Sequence, residues 1–516
     1  MDYSLAALSG VLLILSFPRF GHPAFAWIAL VPLLVSLAPS WRPRAGSGSL
    51  RALGLGFLAG AIHFAGTVYW TSAVMQQFGD LPLALAVLLM LLLASYMALY
   101  PAIAALILHR LGRTFGTGAL LFAPAAWVTT ELGRAHLFTG FPWVLLGYSQ
   151  ATVLPLAQLA SVFGVYGLSA LLVLVNASLA WLVLSRSAAR WRPLLVSLAV
   201  VVVVAAWGAA RLREGSLVRA GTPLEVALVQ GNIAQEQKWD PSRARGILER
   251  YVEMTRQAAS GGARFIVWPE SSLPFYFQEE PSGGDAVRRL AHDTRTFILV
   301  GSDQVERSDP PKFYNAAFLV TPDGTVGGIY RKMHLVPFGE YVPLKKLLFF
   351  ASPLVEAVSD FSPGEEIVML PVAGHPVSTA ICYEVVYPGL ARGAVARGSQ
   401  LLTTITNDAW YGRSSAPWQH FEQASLRAVE QGRYLIRSAN TGISGIVDPY
   451  GRVVARSNLF EQAIVEGEVR LLDGRTVYSR IGDLLAYVLA LLALAAVLAG
   501  RLRSPVAGEA GLERSR

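Results

Sequence analysis

The sequence predicts a polytopic α-helical membrane bundle of about eight spans, joined to a layered α/β domain. Only 15% of the 516 residues are charged and 53% are hydrophobic, whereas a soluble domain usually carries about 25% charged residues. Apolar runs of nearly spanning length fill the first 211 residues and recur near the carboxyl end. Between them, over 212–480, short β-rich runs alternate with helical stretches, which is typical of a layered α/β domain.

The membrane spans are predicted from apolar runs, because a helix needs roughly 20 apolar residues to cross the hydrocarbon core. The runs fall at about 4–20, 23–40, 52–74, 82–108, 116–134, 155–185, 194–211 and 482–500. The first run is not read as a signal peptide, because no basic residues precede it and no small-residue cleavage site follows it. We expect a transmembrane domain of about seven helices over 1–211, a final transmembrane helix over 481–500 and a tail over 501–516.

The orientation of the spans is predicted from the basic residues between them. Arginines cluster after the second, fourth, sixth and eighth spans, at Arg42, Arg44, Arg51, Arg110, Arg113, Arg186, Arg190, Arg192, Arg501 and Arg503. The alternate loops, around 76–80 and 137–150, are nearly free of Lys and Arg. By the positive-inside rule both termini are cytoplasmic, and the domain over 212–480 is extracytoplasmic. These loops also account for the net charge of +8, so no nucleic-acid partner is expected.

A single cysteine restricts the chemistry of the chain. Cys382 alone excludes an intrachain disulfide and a Cys-based zinc site. The eight His residues show no HExxH or paired spacing, so neither a metal nor a cofactor is expected. A lone thiol is most often a small buried side chain, and only its sequence context can indicate another role.

Three chemically active residues directly follow or lie beside predicted strands of the α/β domain. The predicted strands are 226–230, 265–268, 297–301, 316–320, 377–381 and 401–406. Glu270 and Cys382 each stand at a strand end, and Lys332 lies in a stretch rich in Pro and Gly. Singly, these are an ordinary strand-end carboxylate, a surface lysine and a core thiol. Because loops at strand ends converge on one crevice in α/β folds, we expect the three to meet there.

These residues lie in short sequence motifs, and over about 225–470 the chain resembles the nitrilase superfamily of carbon–nitrogen hydrolases. The matching motifs are Val229–Asn232, Lys238–Asp240, Trp268–Glu270, Lys332–Pro343, Ile381–Glu384 and Asn407–Gly412, with Gly140–Trp143 and Gly147–Gln150 in the amino-terminal part. With its spans, the whole chain is similar to the apolipoprotein N-acyltransferase family. This resemblance implies a nitrilase-like α-β-β-α sandwich, placed on the periplasmic side of the bacterial inner membrane by a multi-pass bundle.

The resemblance also implies a Glu–Lys–Cys triad. Cys382 is the expected nucleophile and Glu270 the expected base. Lys332 is expected to favour the thiolate and, with the backbone N–H of Tyr383, to stabilise the tetrahedral oxyanion. The implied reaction is phospholipid-dependent N-acylation of the amino-terminal S-diacylglyceryl cysteine of apolipoproteins, by a ping-pong mechanism through a thioester on Cys382. Phosphatidylethanolamine is the expected donor, a diacylated apolipoprotein the acceptor, and the enzyme is expected to be a monomer.

Four further residues receive roles from the same resemblance. Glu340 is expected either to position the triad lysine or to form a structural ion pair. Tyr383 and Glu384 are expected to shape the acyl and amine pockets. Trp239 is expected to lie near the site, with core packing as the other interpretation.

Two features allow more than one interpretation. The segment Pro343–Phe350 places a basic pair beside an apolar stretch, and is either a lid that dips into the membrane interface or a buried helix of the α/β domain. Glu131 and Arg134, at the outer end of the fifth span, form either a structural pair or a contact for a lipid headgroup.

Two other functions share parts of this pattern. A membrane-anchored nitrilase or amidase would use the same triad to hydrolyse small amides, but one anchoring helix would serve it, whereas seven predicted spans precede this domain. A transporter or channel with an extracytoplasmic binding domain would need ionisable groups inside its spans, and the predicted spans hold few. The sequence therefore favours the acyltransferase.

Overall fold

The computed structural model describes residues 1–19, 21–41, 48–337, 339–341 and 361–503, and the side chains up to residue 500. The proposed lid, Pro343–Phe350, lies outside the described residues. So do two of the loop arginines, Arg42 and Arg44, and the tail from 504 to 516.

The amino-terminal part of the chain is helical. Its α-helices are α1 (Asp2–Ile14), α2 (Val31–Leu37), α3 (Gly48–Thr67), α4 (Trp70–Phe78), α5 (Leu83–Phe115), α6 (Ala123–His136), α7 (Leu154–Ala157), α8 (Ala160–Leu184) and α9 (Arg192–Glu214). Short 3-10 helices lie at Pro23–Trp27, Ala38–Trp41, Gly116–Phe122, Leu137–Thr139 and Leu146–Gln150. Large apolar side chains such as Val203 remain exposed on this part, 67% in that case, and a bilayer would cover them.

Five helical stretches in the described residues are long and apolar enough to cross a membrane: Pro23–Trp41, Gly48–Thr67, Leu83–Thr139, Ala160–Leu184 and Arg192–Glu214. Asp2–Ile14 and Leu484–Gly500 are shorter apolar helices. The third stretch contains two predicted spans, 82–108 and 116–134, and α5 ends between them at Gly116, whose φ of +58° suits a residue without a Cβ. The membrane bundle is thus confirmed, whereas the count of about eight spans is not established.

The α/β domain contains two six-stranded sheets. Its strands are β1 (Thr222–Gln230), β2 (Phe265–Val267), β3 (Phe297–Glu306), β4 (Lys312–Val320), β5 (Val326–Arg331), β6 (Leu370–Val372), β7 (His375–Ile381), β8 (Leu401–Thr406), β9 (Leu435–Ala439), β10 (Gly445–Val447), β11 (Val453–Arg456) and β12 (Ala463–Leu471). The first sheet has the order β12-β1-β2-β3-β4-β5 and the second β11-β10-β9-β8-β7-β6. The central strands of each sheet, β1 to β3 and β7 to β9, run parallel, so their carboxyl ends share one edge.

Helices cover both outer faces of the paired sheets. They are α10 (Gln235–Lys238), α11 (Ala244–Ser260), α12 (Pro281–Thr294), α13 (Pro388–Ala396) and α14 (Ala416–Gln431), followed by α15 (Val477–Ile481) and α16 (Leu484–Arg503). Val267 and Leu319 of the first sheet share one buried cluster with Ile381 and Leu401 of the second. Apolar residues of α11 and α12, such as Tyr251, cover the far side of the first sheet. The predicted α-β-β-α sandwich is therefore confirmed.

Helix α14 lies between the second sheet and the membrane bundle. Its Phe421 belongs to the same buried cluster as Trp143 and Val165 of the bundle. Arg427 of α14 donates to the Tyr148 hydroxyl of the bundle at 3.0 Å. The α/β domain is thus packed directly on the apolar part of the chain, and the ends of β7 and β8 lie close to this contact.

Candidate active site

The three residues expected to react lie at one end of the sandwich. Glu270 follows β2, Lys332 directly follows β5, and Cys382 directly follows β7. The Nζ atom of Lys332 is 3.5 Å from Oε1 of Glu270, and the charges of both residues act on the Cys382 thiol. The structure thus brings together the three residues that the sequence singled out, and it shows that Lys332 also follows a strand.

The Glu270 carboxylate is held by neutral donors from both sheets. Its Oε1 atom accepts a hydrogen bond from the side-chain amide of Asn315 on β4 at 2.7 Å. Its Oε2 atom accepts one from the backbone N–H of Asn407, after β8, at 2.8 Å. Because these donors fix the carboxylate from two sides, its orientation toward the site is predetermined.

A second carboxylate, Glu340, lies closer to the lysine than Glu270 does. Its Oε1 atom is 2.8 Å from Nζ of Lys332 and 3.0 Å from Nδ2 of Asn315. Burial lowers the pKa of Lys332, but Glu340 and Glu270 together offset this effect, so the pKa is raised and the side chain is an ammonium at neutral pH. We call Glu270, Lys332, Glu340 and Asn315 the acid–base cluster.

The Cys382 backbone has an unusual conformation. This residue opens a 3-10 helix, Cys382–Val386, with a φ of +54°. The left-handed region costs an L-residue roughly 1–2 kcal/mol, so neighbouring contacts must hold the backbone in place.

The surroundings of the Cys382 thiol favour its protonated form. It is buried, and burial together with the nearby Glu270 carboxylate raises its pKa to about 12. Lys332 lowers the pKa, in the direction expected from the sequence, but this effect is smaller than that of burial. A thiol in these surroundings needs a base before it can act as a nucleophile.

Glu384 joins the loops that carry the lysine and the cysteine. It is fully buried, and it accepts hydrogen bonds from the backbone N–H groups of Ile381 at 2.7 Å, Met333 at 2.7 Å and His334 at 3.1 Å. The Tyr330 hydroxyl donates to it at 2.9 Å. These donors occupy both carboxylate oxygens, so Glu384 supports the backbone where the sequence suggested that it lines a pocket.

Tyr383 contacts a loop of the membrane bundle. The Trp143 ring stacks beside it with the ring centres 6.4 Å apart and the planes inclined by 23°. The Tyr387 hydroxyl donates to the carbonyl of Gly140 in the same loop at 2.9 Å. One wall next to the nucleophile is therefore built by the bundle.

Glu131 and Arg134 hold that loop from within the bundle. Both are buried. The Glu131 carboxylate accepts from the backbone N–H of Leu146 at 2.7 Å, and Arg134 donates to the carbonyls of Phe141 and Trp143 at 3.1 and 2.6 Å. These contacts favour the structural interpretation of the two residues over the headgroup contact.

Lys238, the neighbour of Trp239 in the chain, contacts the acid–base cluster. Trp239 is 47% exposed, which does not fit core packing. Lys238 is buried and donates to the backbone carbonyl of Glu270 at 3.1 Å. Burial lowers its pKa to about 8, although Glu270 and Asp303 act in the opposite direction. The sequence analysis assigned no role to Lys238, although it belongs to one of the quoted motifs.

A second ionic cluster lies behind the nucleophile. His420 on α14 donates from Nε2 to the backbone carbonyl of Cys382 at 3.1 Å. Asp408 lies 3.1 Å from Nδ1 of His420, and Arg437 on β9 binds Asp408 at 2.8 Å. All three side chains are fully buried. We call Asp408, His420 and Arg437 the support cluster. Of the three, only Asp408 lies in one of the quoted motifs.

The groups gathered here suit nucleophilic and acid–base chemistry. No group of three or more His, Cys, Asp or Glu side chains in the described part of the chain is arranged to hold a metal ion. A thiol, a fixed carboxylate and an ammonium at one point are the components of covalent acyl transfer.

Comparisons with known proteins identify both parts of the chain. Residues 9–178 match the model of the apolipoprotein N-acyltransferase N-terminal domain, and residues 225–477 match that of carbon-nitrogen hydrolases. The solved structure of Saccharomyces cerevisiae Nit3, a member of branch 10 of the nitrilase superfamily, is 18% identical and covers 56% of this chain and 96% of its own, with a TM-score of 0.39.

Two curated relatives align over nearly their whole length. The apolipoprotein N-acyltransferase of Geobacter metallireducens is 43% identical over 511 residues, which cover 98% of this chain and 96% of the relative. That of Methylococcus capsulatus is 38% identical over 490 residues, which cover 93% of this chain and 92% of the relative. The chain therefore belongs to the apolipoprotein N-acyltransferase family.

Proposed function

We propose that this chain N-acylates the amino-terminal S-diacylglyceryl cysteine of apolipoproteins with an acyl group taken from a phospholipid, through a thioester on Cys382. The observation that carries the proposal is the buried Cys382 thiol at a strand end, within the electrostatic influence of Glu270 and Lys332. Membership of the family supports a lipoprotein acceptor, a phospholipid donor and a membrane location. Phosphatidylethanolamine is the donor that we propose.

In the first half-reaction, Glu270 takes the thiol proton while the sulfur of Cys382 attacks the carbonyl carbon of the phospholipid ester. The two events are coupled because the pKa of the resting thiol is raised. Lys332 and the backbone N–H of Tyr383 stabilise the tetrahedral oxyanion. When the ester C–O bond breaks, the leaving oxygen takes the proton from Glu270, which releases a lysophospholipid and leaves the thioester.

In the second half-reaction, the neutral α-amine of the diacylglyceryl cysteine attacks the thioester carbon. An α-amino group has a pKa of about 7.7–8.0, so a useful fraction is neutral near pH 7. Glu270 takes a proton from the amine, the C–S bond breaks, and the sulfur of Cys382 regains a proton from Glu270. The products are an amide and the free thiol, and one base serves both halves of a ping-pong cycle.

Glu340 keeps the base available by acting as the closer partner of the lysine. Its carboxylate lies 2.8 Å from Nζ of Lys332, compared with 3.5 Å for Glu270. If Lys332 were paired with Glu270 alone, the ion pair would make that carboxylate a weaker base. Asn315 donates to both carboxylates and keeps them apart from each other in fixed positions.

The apolar part of the chain brings the lipid substrates to this site. Each methylene withdrawn into water costs about 0.8 kcal/mol, so exposing a C16 chain would cost on the order of 10 kcal/mol. We therefore propose that the site opens at bilayer level beside the loop that carries Trp143. That loop packs on Tyr383 next to the nucleophile, and it belongs to the bundle.

The topology that we propose follows the arginine distribution. Residues 1–211 form the transmembrane domain, 212–480 the catalytic domain, 481–500 the final transmembrane helix and 501–516 a cytoplasmic tail. In this arrangement the catalytic domain faces the periplasm from the bacterial inner membrane. In this proposal the enzyme acts as a monomer.

The decisive experiment supplies the purified protein with phosphatidylethanolamine and a diacylated lipopeptide, and follows both by mass spectrometry. We expect one added acyl chain on the peptide, a lysophospholipid, and, without the peptide, a hydroxylamine-sensitive acyl adduct on the protein. Cys382→Ala should show none of these products. Free fatty acid without acylated peptide would identify a hydrolase instead, and an acyl adduct on Cys382→Ala would refute the nucleophile.

A further inference from the structure

The carbonyl of Cys382 is bound by a side chain that takes no part in the proposed proton transfers. His420 donates to it from Nε2 at 3.1 Å. A carbonyl oxygen can only accept, so the hydrogen of the imidazole must be on Nε2. His420 therefore faces the backbone of the nucleophile with a donor, whichever group occupies its other nitrogen.

The rest of the support cluster fixes the direction of that imidazole. Nδ1 of His420 lies 3.1 Å from Asp408 Oδ1 and 3.0 Å from Arg437 Nη2. Asp408 is held in turn by Arg437 at 2.8 Å and by the Thr406 hydroxyl at 2.9 Å. Since these side chains come from three separate elements and are buried, the ring has little freedom to rotate.

A fixed carbonyl also fixes the N–H group of the next residue. The Cys382 carbonyl and the Tyr383 N–H belong to one planar peptide unit and point in opposite directions. In the first turn of a helix, backbone N–H groups have no acceptor within the helix. Binding of the carbonyl by His420 on one side of this peptide therefore leaves the Tyr383 N–H directed to the other side.

We propose that His420, held by Asp408 and Arg437, is a positioning residue that fixes the Cys382–Tyr383 peptide and so aims the Tyr383 N–H at the acyl oxygen. The inference rests on the proposed function, in which that N–H stabilises the oxyanion. It extends the active site to a group that touches neither substrate nor sulfur.

Two substitutions separate this role from simple packing. In His420→Gln, the amide nitrogen lies about where Nε2 was, and can still donate to the Cys382 carbonyl. In His420→Asn, the shorter side chain places its amide near the position of Nδ1, so the contact with Asp408 is kept and the donor to the carbonyl is lost. A packing role predicts that both fail together.

The measurement is the rate of formation of the hydroxylamine-sensitive adduct with phosphatidylethanolamine alone. We expect His420→Asn to lower the maximal rate of adduct formation by about 100-fold, the usual effect of losing one oxyanion donor. The phospholipid concentration that gives half of this rate should change less than about threefold. His420→Gln should stay within about tenfold of the unsubstituted protein. Alkylation of Cys382 by iodoacetamide forms no oxyanion, so its rate should be the same in all three proteins.

Each outcome decides the proposal. If His420→Asn forms the adduct within about threefold of the normal rate, or if His420→Gln loses as much as His420→Asn, the positioning role is wrong. His420→Leu is measured beside them as a second variant without a donor. The test then needs only one of the two donor-free variants, His420→Asn or His420→Leu, to fold. If the unsubstituted protein forms no adduct at all, the proposed function fails, which is a separate result.

Discussion

The two ionic clusters around Cys382 differ in what their charges face. In the acid–base cluster, the ammonium of Lys332 and the carboxylate of Glu270 act on the sulfur itself. In the support cluster, Arg437 and Asp408 are paired with each other, and the His420 imidazole binds the backbone carbonyl of Cys382. The Asp408 charge also raises the pKa of the thiol, but less than Glu270 does. Both clusters are buried, but one belongs mainly to the loops of the first sheet and the other to the second.

This difference indicates a division of labour between the sheets. A buried charge alters a reaction through its field when it faces the reacting atom, and it stabilises geometry when it is paired within a hydrogen-bonded network. In the proposed function, the first sheet therefore supplies proton transfer and charge, while the second supplies a fixed backbone conformation for the thiol. Substitutions in the two clusters should therefore change different measured quantities.

The largest effect is expected from Glu270→Gln, which removes the base and keeps the size of the side chain. Formation of the acyl adduct should fall by roughly 10²- to 10⁴-fold, as measured by quenched-flow mass spectrometry. Glu279→Gln is a matched control, because Glu279 pairs with Arg307 on the surface. If Glu270→Gln formed the adduct at a rate close to normal, Glu270 would not be the base. The proposed difference in role between the two clusters would then be wrong.

Lys332→Arg should lower turnover by about 100-fold although the charge is kept. A guanidinium favours a two-pronged contact with one carboxylate, whereas the ammonium acts as a compact charge between Glu340 and Glu270. The exposed Lys312→Arg serves as the control. Turnover near normal in Lys332→Arg would mean that this cluster needs only a cation of any shape.

Glu384→Gln tests a carboxylate that serves structure. One oxygen would become an NH₂ group facing the backbone N–H of Ile381 or Met333, so at least one buried donor would lose its acceptor. We expect the free energy of unfolding in detergent to fall by about 1–3 kcal/mol, with activity reduced in the same samples. The exposed Glu366→Gln should leave stability unchanged. Full stability in Glu384→Gln would show that this carboxylate does not tie the two loops together.

The smallest expected effect is a difference in the pH dependence of the alkylation rate between Cys382 and an exposed thiol. With the pKa raised to about 12, the thiolate fraction should rise about tenfold per pH unit between pH 7 and 10, without a plateau. An exposed thiol, made by Ser308→Cys in the Cys382→Ala background, should reach half of its maximal rate near its ordinary pKa of about 8.5. A plateau for Cys382 below about pH 9 would show that Lys332 outweighs burial.

Much of the fold follows from local patterns in the sequence. Apolar length alone predicted the membrane bundle, and strand-like runs predicted six strands, of which β8 has the predicted bounds of 401–406. The later strands were missed for a local reason. In β9, for example, the fully buried Arg437 interrupts an apolar run, so the segment does not look like a core strand.

The candidate residues Glu270, Lys332 and Cys382 could also be predicted from the sequence. Each lies in a distinctive motif, and Glu270 and Cys382 also follow predicted strands. Asn315 and His420 were not. Their partners lie 45 and 38 residues away along the chain, and a buried Asn on a strand or His on a helix looks like many others until the distant partner is known.

The sequence by itself determined the apolar lengths, the strand ends and the reactive residue types, since these depend on neighbours in the chain. The tertiary structure alone decided the direction in which the pKa of the thiol is shifted and the contact that holds the Cys382–Tyr383 peptide. The first depends on how burial and Glu270 compare with Lys332, and the second on a hydrogen bond from another element. Both are set by distances through space, which the order of residues does not contain.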